Sequence, residues 1–256
     1  MDYLHRPKRL LITGKSGTGK SEYFIRYIQA VAPEYRHVFI FDFEAEFSHR
    51  AGWQSVRTVE ELNNPQHIQA YDYCEMYPGD LPTAFEFYCD YVFSIAKSYN
   101  GENGSILFCS DELQKIEIGT TQIPHDLTCL VETGRRYKVD TIFIAQQCNL
   151  VHNRLRNQVT EVVTFRHNDD RAIEWLVSYG FNEEMIRSRE IGDYICRTDS
   201  GIEQSGNIFG GTPKPTVPED DDSQHDPENG VDTDRGSPDS ADIDETEDVN
   251  SGMESE

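Results

Sequence analysis

The sequence predicts an α/β fold in which a mostly parallel central sheet is flanked by helices. Five apolar runs rich in branched and aromatic residues have the length and composition of buried strands. They lie at residues 10–12, 37–42, 105–110, 141–145 and 161–166. Helical patterns separate several of these runs, and the acidic residues that follow two of them mark the ligand side of such a sheet. The fold prediction rests on these observations.

The first apolar run opens into a glycine-rich turn, Gly14-x-x-x-x-Gly19-Lys20-Ser21, which is the phosphate-binding loop pattern. Glycine lets successive backbone N–H groups turn inward around a triphosphate without a Cβ clash. The helix that follows directs the positive end of its dipole at the same anion. Lys20 can reach the outer phosphates, and the Ser21 hydroxyl can coordinate Mg²⁺. The predicted residues of the nucleoside triphosphate site are Gly14, Lys15, Ser16, Gly17, Thr18, Gly19, Lys20 and Ser21.

Paired carboxylates, Asp111 and Glu112, follow the third apolar run. Phosphoryl transfer needs one acidic group to hold hydrated Mg²⁺ and another to orient or deprotonate the attacking water. We assign Asp111 to the metal and Glu112 to the water. The second run also ends in acidic residues, Asp42, Glu44 and Glu46, which would lie at the same sheet edge. A solvated loop explains Glu44 equally well.

The remaining elements follow from local patterns. Residues 80–99 form the longest predicted helix, since apolar residues recur there every three or four positions, and its aromatic stripe is expected in the core. Shorter helical segments are predicted at 58–62, 124–138 and 169–179, with an added edge strand at 68–73. Asp199-Ser200-Gly201, between two strand-like runs, predicts a C-terminal β-hairpin.

The charge of the chain is distributed unevenly. Residues 213–256 hold 16 acidic residues against Lys214 and Arg235, with no aromatic residue. Such a segment cannot bury enough apolar surface to offset chain entropy. The sequence therefore predicts a P-loop domain over residues 1–211 and a disordered acidic tail over residues 212–256. The tail carries a net charge of −14, which leaves −9 of the total −23 on the remainder.

The sequence favours a cytoplasmic protein. Its six cysteines form no Cys-x-x-Cys pair, as expected for a reduced compartment. Charged residues follow Met1 directly, which is unlike a signal peptide. No apolar run approaches the roughly 18 residues that span a bilayer, so no transmembrane segment is expected.

The stretch from Gly134 to Arg166 carries a more specific pattern. Gly134-Arg135-Arg136-Tyr137-Lys138-Val139 precedes a strand that ends at Gln146, and an apolar run ending in Phe165-Arg166 follows. This pattern resembles the FtsK/HerA superfamily of DNA-pumping ATPases, in which a Gly-Arg-Lys-Tyr-Gly-Val-like stretch precedes a strand ending in Thr-Gln. Asp42-x-x-x-Glu46 also looks like the family's Asp-x-x-x-Glu. The resemblance spans roughly residues 8–208, with Ala145 in place of the family's Thr and Lys138 where the family often has Gly.

The resemblance implies a RecA-like sheet with strand order 5-1-4-3-2, assembled as a ring that is usually a hexamer. Gln146 looks like the polar sensor of the γ-phosphate. Arg135 looks like the arginine finger that reaches a neighbour's nucleotide, with Arg136 as the second choice. An arginine from a neighbour would neutralise charge on the transferring phosphoryl group. The alternative for Arg135 is a solvated helix end favoured by the helix dipole.

A folded core of about 210 residues is similar to the genome-packaging ATPases of tailless, membrane-containing viruses and phages. The function predicted first is therefore an ATP-hydrolysing DNA translocase that packages a viral genome. The alternatives are a Zot-like assembly ATPase of filamentous phages, a cellular HerA-type translocase and, in a different class, a non-catalytic NTP-binding scaffold. The water-activating role of Glu112 argues against the scaffold, which needs no such group.

The expected partners are DNA, further copies of the chain in a ring, and capsid-vertex or membrane proteins. The resemblance implies the cytoplasm of a host cell as the location, with association with the virion as a second one. DNA binding rests on Lys and Arg contacts to phosphates, whereas the predicted domain is acidic. A ring can present basic loops to a central pore while its exterior stays acidic. Two segments suit such a pore, His49-Arg50 and Arg154-Leu155-Arg156, although ordinary surface charge explains each of them as well.

Overall fold

A nine-stranded sheet organises the computed structural model, which describes residues 8–62, 67–72, 80–101, 104–116, 123–201 and 203–210. The strand order is β3-β4-β2-β5-β6-β1-β7-β8-β9. All strand pairs from β3 to β7 are parallel, and β8 and β9 are added antiparallel. The strands are β1 Arg9–Thr13, β2 Tyr35–Phe41, β3 Gln54–Val56, β4 Ile68–Tyr71, β5 Ser105–Ser110, β6 Val139–Ala145, β7 Glu161–Thr164, β8 Asp193–Thr198 and β9 Glu203–Asn207.

The predicted fold class is confirmed. The five predicted core strands are β1, β2, β5, β6 and β7, and they lie in the expected order 5-1-4-3-2. The full sheet has more strands than these five. Strands β3 and β4 extend one edge, and the predicted hairpin, β8 and β9, extends the other. The edge position predicted for residues 68–73 is wrong, since β3 covers the outer side of β4.

Helices cover both faces of the sheet. They are α1 Lys20–Val31, α2 Glu46–Ala51, α3 Val59–Leu62, α4 Leu81–Tyr99, α5 His125–Thr128, α6 Asn153–Arg156, α7 Asp170–Tyr179 and α8 Glu183–Arg187. The helix predicted at 124–138 changes geometry along its length, since α5 continues as a π-helical turn, Cys129–Thr133, and then a 3-10 turn, Gly134–Tyr137. The long helix predicted at 80–99 is confirmed as α4, which the Asp80 side chain caps by accepting from the Thr83 N–H at 3.2 Å.

Alternation along the strands divides the core into two layers, because successive side chains of a strand point to opposite faces. Leu10 and Ile12 pack with Phe24 and Ile28 of α1 in one layer. Leu11 packs in the other layer, with the aromatic stripe of α4 and the apolar side of α7. The stripe of α4 is therefore core, as predicted. Its members form ring contacts with the sheet, such as Phe85 against Phe41 at 5.0 Å between centroids.

The described residues all lie in one compact unit. Within that part of the chain, no helix is both long and apolar enough to cross a bilayer. The predicted acidic tail, residues 212–256, lies outside the described residues.

Candidate functional site

The phosphate loop joins β1 to α1 at the carboxyl edge of the parallel strands. Close packing explains its first glycine, since a Cβ on Gly14 would lie 2.6 Å from Cβ of Phe165. Gly17 has a φ of 76°, a conformation that favours glycine. The loop is tied to neighbouring segments, because the Lys15 N–H donates to the Arg166 carbonyl and the Thr18 carbonyl accepts from the Gly192 N–H, both at 2.9 Å. The loop is therefore held in shape by the protein itself.

Lys20 begins α1 and is buried, with 7% of its surface exposed. Its Nζ donates to the Lys15 carbonyl at 3.2 Å, so the ammonium group lies against the loop. Burial lowers the pKa of Lys20, while the charges of Glu112, Asp111 and Glu46 act in the opposite direction. The cation of the loop thus faces carboxylates from two other segments of the chain.

The second strand contributes one carboxylate to the site and one to its framework. Ser21 Oγ donates to Glu46 Oε2 at 3.2 Å, so Glu46 lies beside the predicted metal ligand. Asp42 instead accepts from the N–H groups of Phe47 and Ser48, at 3.1 and 3.0 Å, and so fixes the first turn of α2. Burial raises the pKa of Asp42, and these backbone hydrogen bonds act against the rise. The Asp-x-x-x-Glu spacing was the only sequence signal for Glu46.

Asp111 and Glu112 follow β5 directly and are both buried, at 5% and 7% exposure. Burial, together with the charge of Glu112, raises the pKa of Asp111 to about 8. One oxygen of Asp111 accepts from the Glu112 N–H at 2.8 Å. Glu112 has a left-handed backbone, with φ of 45°, which turns the chain sharply after the strand.

Two glutamines hold the Glu112 carboxylate. Gln146, directly after β6, donates from Nε2 to Glu112 Oε1 at 2.6 Å. The Gln114 amide donates to the other oxygen, and its Oε1 accepts from the Gln146 N–H at 3.3 Å. The structure thus brings the predicted base and the predicted sensor into direct contact. Gln114 carried no sequence signal beyond its position two residues after Glu112.

Lys115 adds a cation to this cluster. Its Nζ lies 2.7 Å from Glu44 Oε1 and 3.7 Å from Glu112 Oε2, above the ring of Phe43. Glu44 therefore engages a lysine of the site region, and the solvated-loop alternative does not describe it fully. Sequence reasoning missed Lys115, because a lone lysine after an acidic pair has no distinctive pattern.

Arg135 and Arg136 lie away from the phosphate loop of their own chain. Both are exposed in the 3-10 turn that precedes β6, whereas Gln146 follows that strand. A seven-residue strand rises about 20 Å at ~3.3 Å per residue, so the arginines are at the opposite edge of the sheet. Arg136 stacks over the neighbouring Tyr137 ring at 5.6 Å. The structure does not bring either arginine to the Lys20 cluster.

A buried arginine supports the turn that carries Arg135. Arg9 donates from Nη2 to the Val131 carbonyl at 2.9 Å and from Nη1 to the Val139 carbonyl at 2.7 Å. These carbonyls flank the 3-10 turn on both sides. Burial lowers the pKa of Arg9 to about 10, and the charge of Asp140 acts in the opposite direction. Arg9 therefore connects the strand of the phosphate loop with the Arg135 turn.

Acidic partners already engage the two segments suggested as pore elements. Arg50 pairs with Glu46 and Glu22, and Arg154 pairs with Glu132. Ordinary surface ion pairing thus accounts for these two arginines as the structure has them.

A phosphate loop at the end of a central parallel strand, beside a strand that ends in two carboxylates, defines the P-loop NTPase class. The family model described as "Poxvirus A32 protein" matches residues 2–180. The chain belongs to this family. A search of curated protein sequences finds no match.

Solved structures support the fold. The genome-packaging NTPase B204 from Sulfolobus turreted icosahedral virus 2, in complex with AMPPCP, matches with a TM-score of 0.59 and 15% identity over 78% of this chain and 97% of that one. B204 of Sulfolobus turreted icosahedral virus, described as a DNA-packaging ATPase, gives 0.56 and 16% over 79% and 98%. The cytoplasmic domain of the type VII secretion ATPase EccC of Thermomonospora curvata gives 0.53 and 15% over 77% of this chain and 25% of that one. At these identities the likeness concerns the fold.

Proposed function

We propose that this chain is an ATP-hydrolysing DNA translocase that acts as the motor of viral genome packaging. The observation that carries the proposal is the contact of Glu112 with Gln146, beside the Lys20 loop, in a chain of the poxvirus A32 family. The similar B204 structures, described as genome-packaging NTPases, support the same assignment. Family membership favours this function over a Zot-like phage assembly ATPase and over a cellular HerA-type translocase.

In this mechanism the loop from Gly14 to Ser21 binds the triphosphate through its backbone N–H groups. Lys20 moves from the Lys15 carbonyl to the outer phosphates, since an anion is a better partner than a peptide carbonyl. The oxygen donors of Ser21 and Asp111 suit Mg²⁺, which prefers hard oxygen ligands, and they would hold the ion. Bound Mg²⁺ supplies charge neutralisation on the phosphates.

Glu112 is the proposed base that orients and deprotonates the attacking water. The two glutamine amides hold both of its oxygens, which restricts the carboxylate to one orientation. Gln146 can exchange its bond to Glu112 for one to the γ-phosphate, and this exchange would report the state of the nucleotide. Hydrolysis would then change the end of β6, the strand whose other end follows the Arg135 turn.

We further propose a homo-oligomeric ring, of six subunits by resemblance, in which Arg135 completes the neighbour's site. The distance between the Arg135 turn and its own loop supports a role in trans. Such a ring would act on DNA in the host cytoplasm and would bind capsid-vertex or membrane proteins as partners. The acidic segment 212–256 is a candidate for docking to a basic partner.

The experiment is a DNA-dependent ATPase assay combined with displacement of a triplex-forming strand from double-stranded DNA. We expect DNA to stimulate hydrolysis and the wild type to displace the third strand, whereas Lys20→Ala should do neither. Hydrolysis without DNA stimulation or displacement would leave a P-loop ATPase that is not a DNA motor. Nucleotide binding without hydrolysis would favour the scaffold.

A further inference from the structure

The two most exposed large apolar side chains in the described part of the chain lie beside the phosphate loop. Ile191 is 69% exposed and Phe209 is 59% exposed. Ile191 precedes β8 and Phe209 follows β9, so the C-terminal hairpin presents both from its ends. Such exposure leaves a large aromatic ring in water, and its position next to a binding loop suits a ligand with an apolar face.

Backbone hydrogen bonds connect the segments that carry these two side chains to the phosphate loop. The Gly192 N–H donates to the Thr18 carbonyl at 2.9 Å, and the Ile208 N–H donates to the Gly192 carbonyl at 3.0 Å. A Cβ on Gly192 would lie 2.5 Å from Cδ2 of Phe209, so the Phe209 ring packs on the residue that bonds the loop. The ring therefore lies two contacts away from the loop backbone.

The framework behind Phe209 is held firmly. A Cβ on Gly19 would lie 2.6 Å from Cδ1 of Ile208, so this isoleucine packs against the loop itself. The guanidinium of Arg26, on α1, donates to the Ile208 carbonyl. The Phe209 N–H donates to Asn207 Oδ1 at 2.8 Å, which fixes the backbone of Phe209. These contacts fix the backbone that carries the exposed ring.

The position of Ile191 and Phe209 in the sheet indicates which part of a bound nucleotide they face. The hydrolytic residues Glu112 and Gln146 follow β5 and β6, on one side of β1. The hairpin lies beyond β7, on the other side of β1. A triphosphate whose γ-phosphate faces Glu112 therefore carries its nucleoside toward the hairpin.

We propose that Phe209 and Ile191 form the platform for the nucleobase of the bound nucleoside triphosphate. The inference rests on the proposed function, which supplies the nucleotide in the loop. An aromatic ring and an apolar side chain suit the flat face of a purine, which stacks on aromatic side chains. Both Asn207 amide ends are engaged, Nδ2 with Asp193 and Oδ1 with Phe209, so stacking supplies the main interaction of this subsite.

Calorimetric titration of the full chain with MgATP and with Mg-tripolyphosphate tests the platform. Tripolyphosphate occupies the phosphate loop but has no base. We expect Phe209→Ala to weaken ATP binding about tenfold or more, since base stacking on an aromatic ring has that magnitude. Binding of tripolyphosphate should stay within twofold of the wild type. Phe209→Tyr keeps the ring and should retain ATP affinity, and Val177→Ala removes an exposed apolar side chain elsewhere as the matched control.

The outcomes separate the platform from the nucleotide site itself. Equal losses for both ligands in Phe209→Ala would show that the ring supports the loop and would overturn the platform. Unchanged ATP affinity in Phe209→Ala and in Ile191→Ala would overturn it as well, with the base placed elsewhere. Lys20→Ala tests the loop independently, because it should lose both ligands. Retained binding of both ligands in that variant would instead contradict the nucleotide site.

Discussion

Gln146 Nε2 lies 2.6 Å from Glu112 Oε1, and this hydrogen bond joins the carboxyl ends of two neighbouring parallel strands, β5 and β6. A short bond between an amide and a carboxylate restricts the orientation of both groups. It also places the group that would act on water next to the group that would contact the γ-phosphate. Two predictions test whether catalysis depends on this pair.

Glu112→Gln should leave nucleotide binding intact and stop hydrolysis, because the amide cannot accept the proton of the attacking water. Binding is measured by titration with MgATP and hydrolysis by phosphate release. Lys20→Ala is the contrasting variant, since it removes the group that holds phosphate in the ground state and should abolish binding. A Glu112→Gln protein with near-normal turnover would show that another base acts.

Gln146→Ala should lower kcat about 100-fold or more while KM stays within a few-fold, since its loss frees one Glu112 oxygen and removes a polar contact needed in the transition state. The adjacent Gln147 is exposed and provides the matched control, so Gln147→Ala should retain wild-type kcat. Equal losses in the two variants would assign the effect to the loop after β6 as a whole.

The five central strands and the acidic pair that follows β5 could be predicted from local signals in the sequence, whereas the order of the strands and the role expected of Gln146 came from the resemblance to the FtsK/HerA superfamily. A phosphate loop, an acidic pair and a glutamine each follow an apolar run, and the ends of parallel strands meet at one edge. The contact of Ser21 with Glu46 depends on where α2 places its first residue, which no local pattern specifies. The contacts of Gln114 and Lys115 with Glu112 could not be predicted for the same reason, because they depend on the turn that follows β5.

The helix predicted over residues 124–138 shows where local propensity is insufficient. Gly134 packs closely on Val139, since a Cβ on this glycine would lie 3.0 Å from the valine side chain, and Arg9 takes up the Val131 carbonyl. Both partners come from outside the helix, so tertiary contacts change its geometry to a π-helical turn and a 3-10 turn. The added strand β3, only three residues long, was missed because so short a segment has no periodicity to detect.

The raised pKa of Asp111 predicts a pH dependence of stability. In the folded protein this carboxyl keeps its proton up to a pKa of about 8, whereas an unfolded Asp ionises near pH 4. Between these values the folded state binds more protons, so this group lowers the free energy of unfolding as pH rises. Asp111→Asn removes the titration, and its Tm should exceed that of the nucleotide-free wild type by more at pH 8 than at pH 5.

Thermal unfolding of both proteins from pH 5 to pH 8 checks this difference. Asp170→Asn, a change of an exposed carboxylate on α7, is the control, and its offset from the wild type should stay nearly constant. A Tm difference for Asp111→Asn that is flat across the range would mean that the Asp111 carboxyl is already ionised at pH 5.

Removal of the Arg9 guanidinium, which donates to two buried carbonyls, should destabilise the fold. Arg9→Met leaves the buried carbonyls of Val131 and Val139 without their partner, at about 1–3 kcal/mol for each unpaired group. We expect a clear loss in the free energy of unfolding by denaturant titration, with Arg9→Lys intermediate because it keeps one donor position. Arg171→Met, on the exposed side of α7, should stay within ~0.5 kcal/mol of the wild type. If the free energy of unfolding of Arg9→Met fell by no more than this, water would have replaced the guanidinium as the partner of the two carbonyls.

The position of Arg135 predicts complementation between two inactive variants. The arginine is exposed at the amino end of β6, so it cannot reach its own phosphate loop but can face a neighbour's. Arg135→Ala subunits should bind ATP and fail to hydrolyse it, since arginine fingers contribute ~10³ or more in rate. Arg136→Ala is the matched neighbouring variant and should retain most activity if Arg135 is the finger.

Mixtures of Arg135→Ala with Lys20→Ala subunits distinguish a finger in trans from a residue that acts within its own subunit. At a mixed interface, the intact loop of an Arg135→Ala subunit meets the intact Arg135 of a Lys20→Ala subunit. ATPase activity across mixing ratios, measured with DNA present, should therefore rise from near zero to a maximum at intermediate ratios, because that is where such interfaces are most frequent. Absence of rescue at every ratio, with co-assembly verified by size-exclusion chromatography, would exclude completion of the site by a neighbour's Arg135.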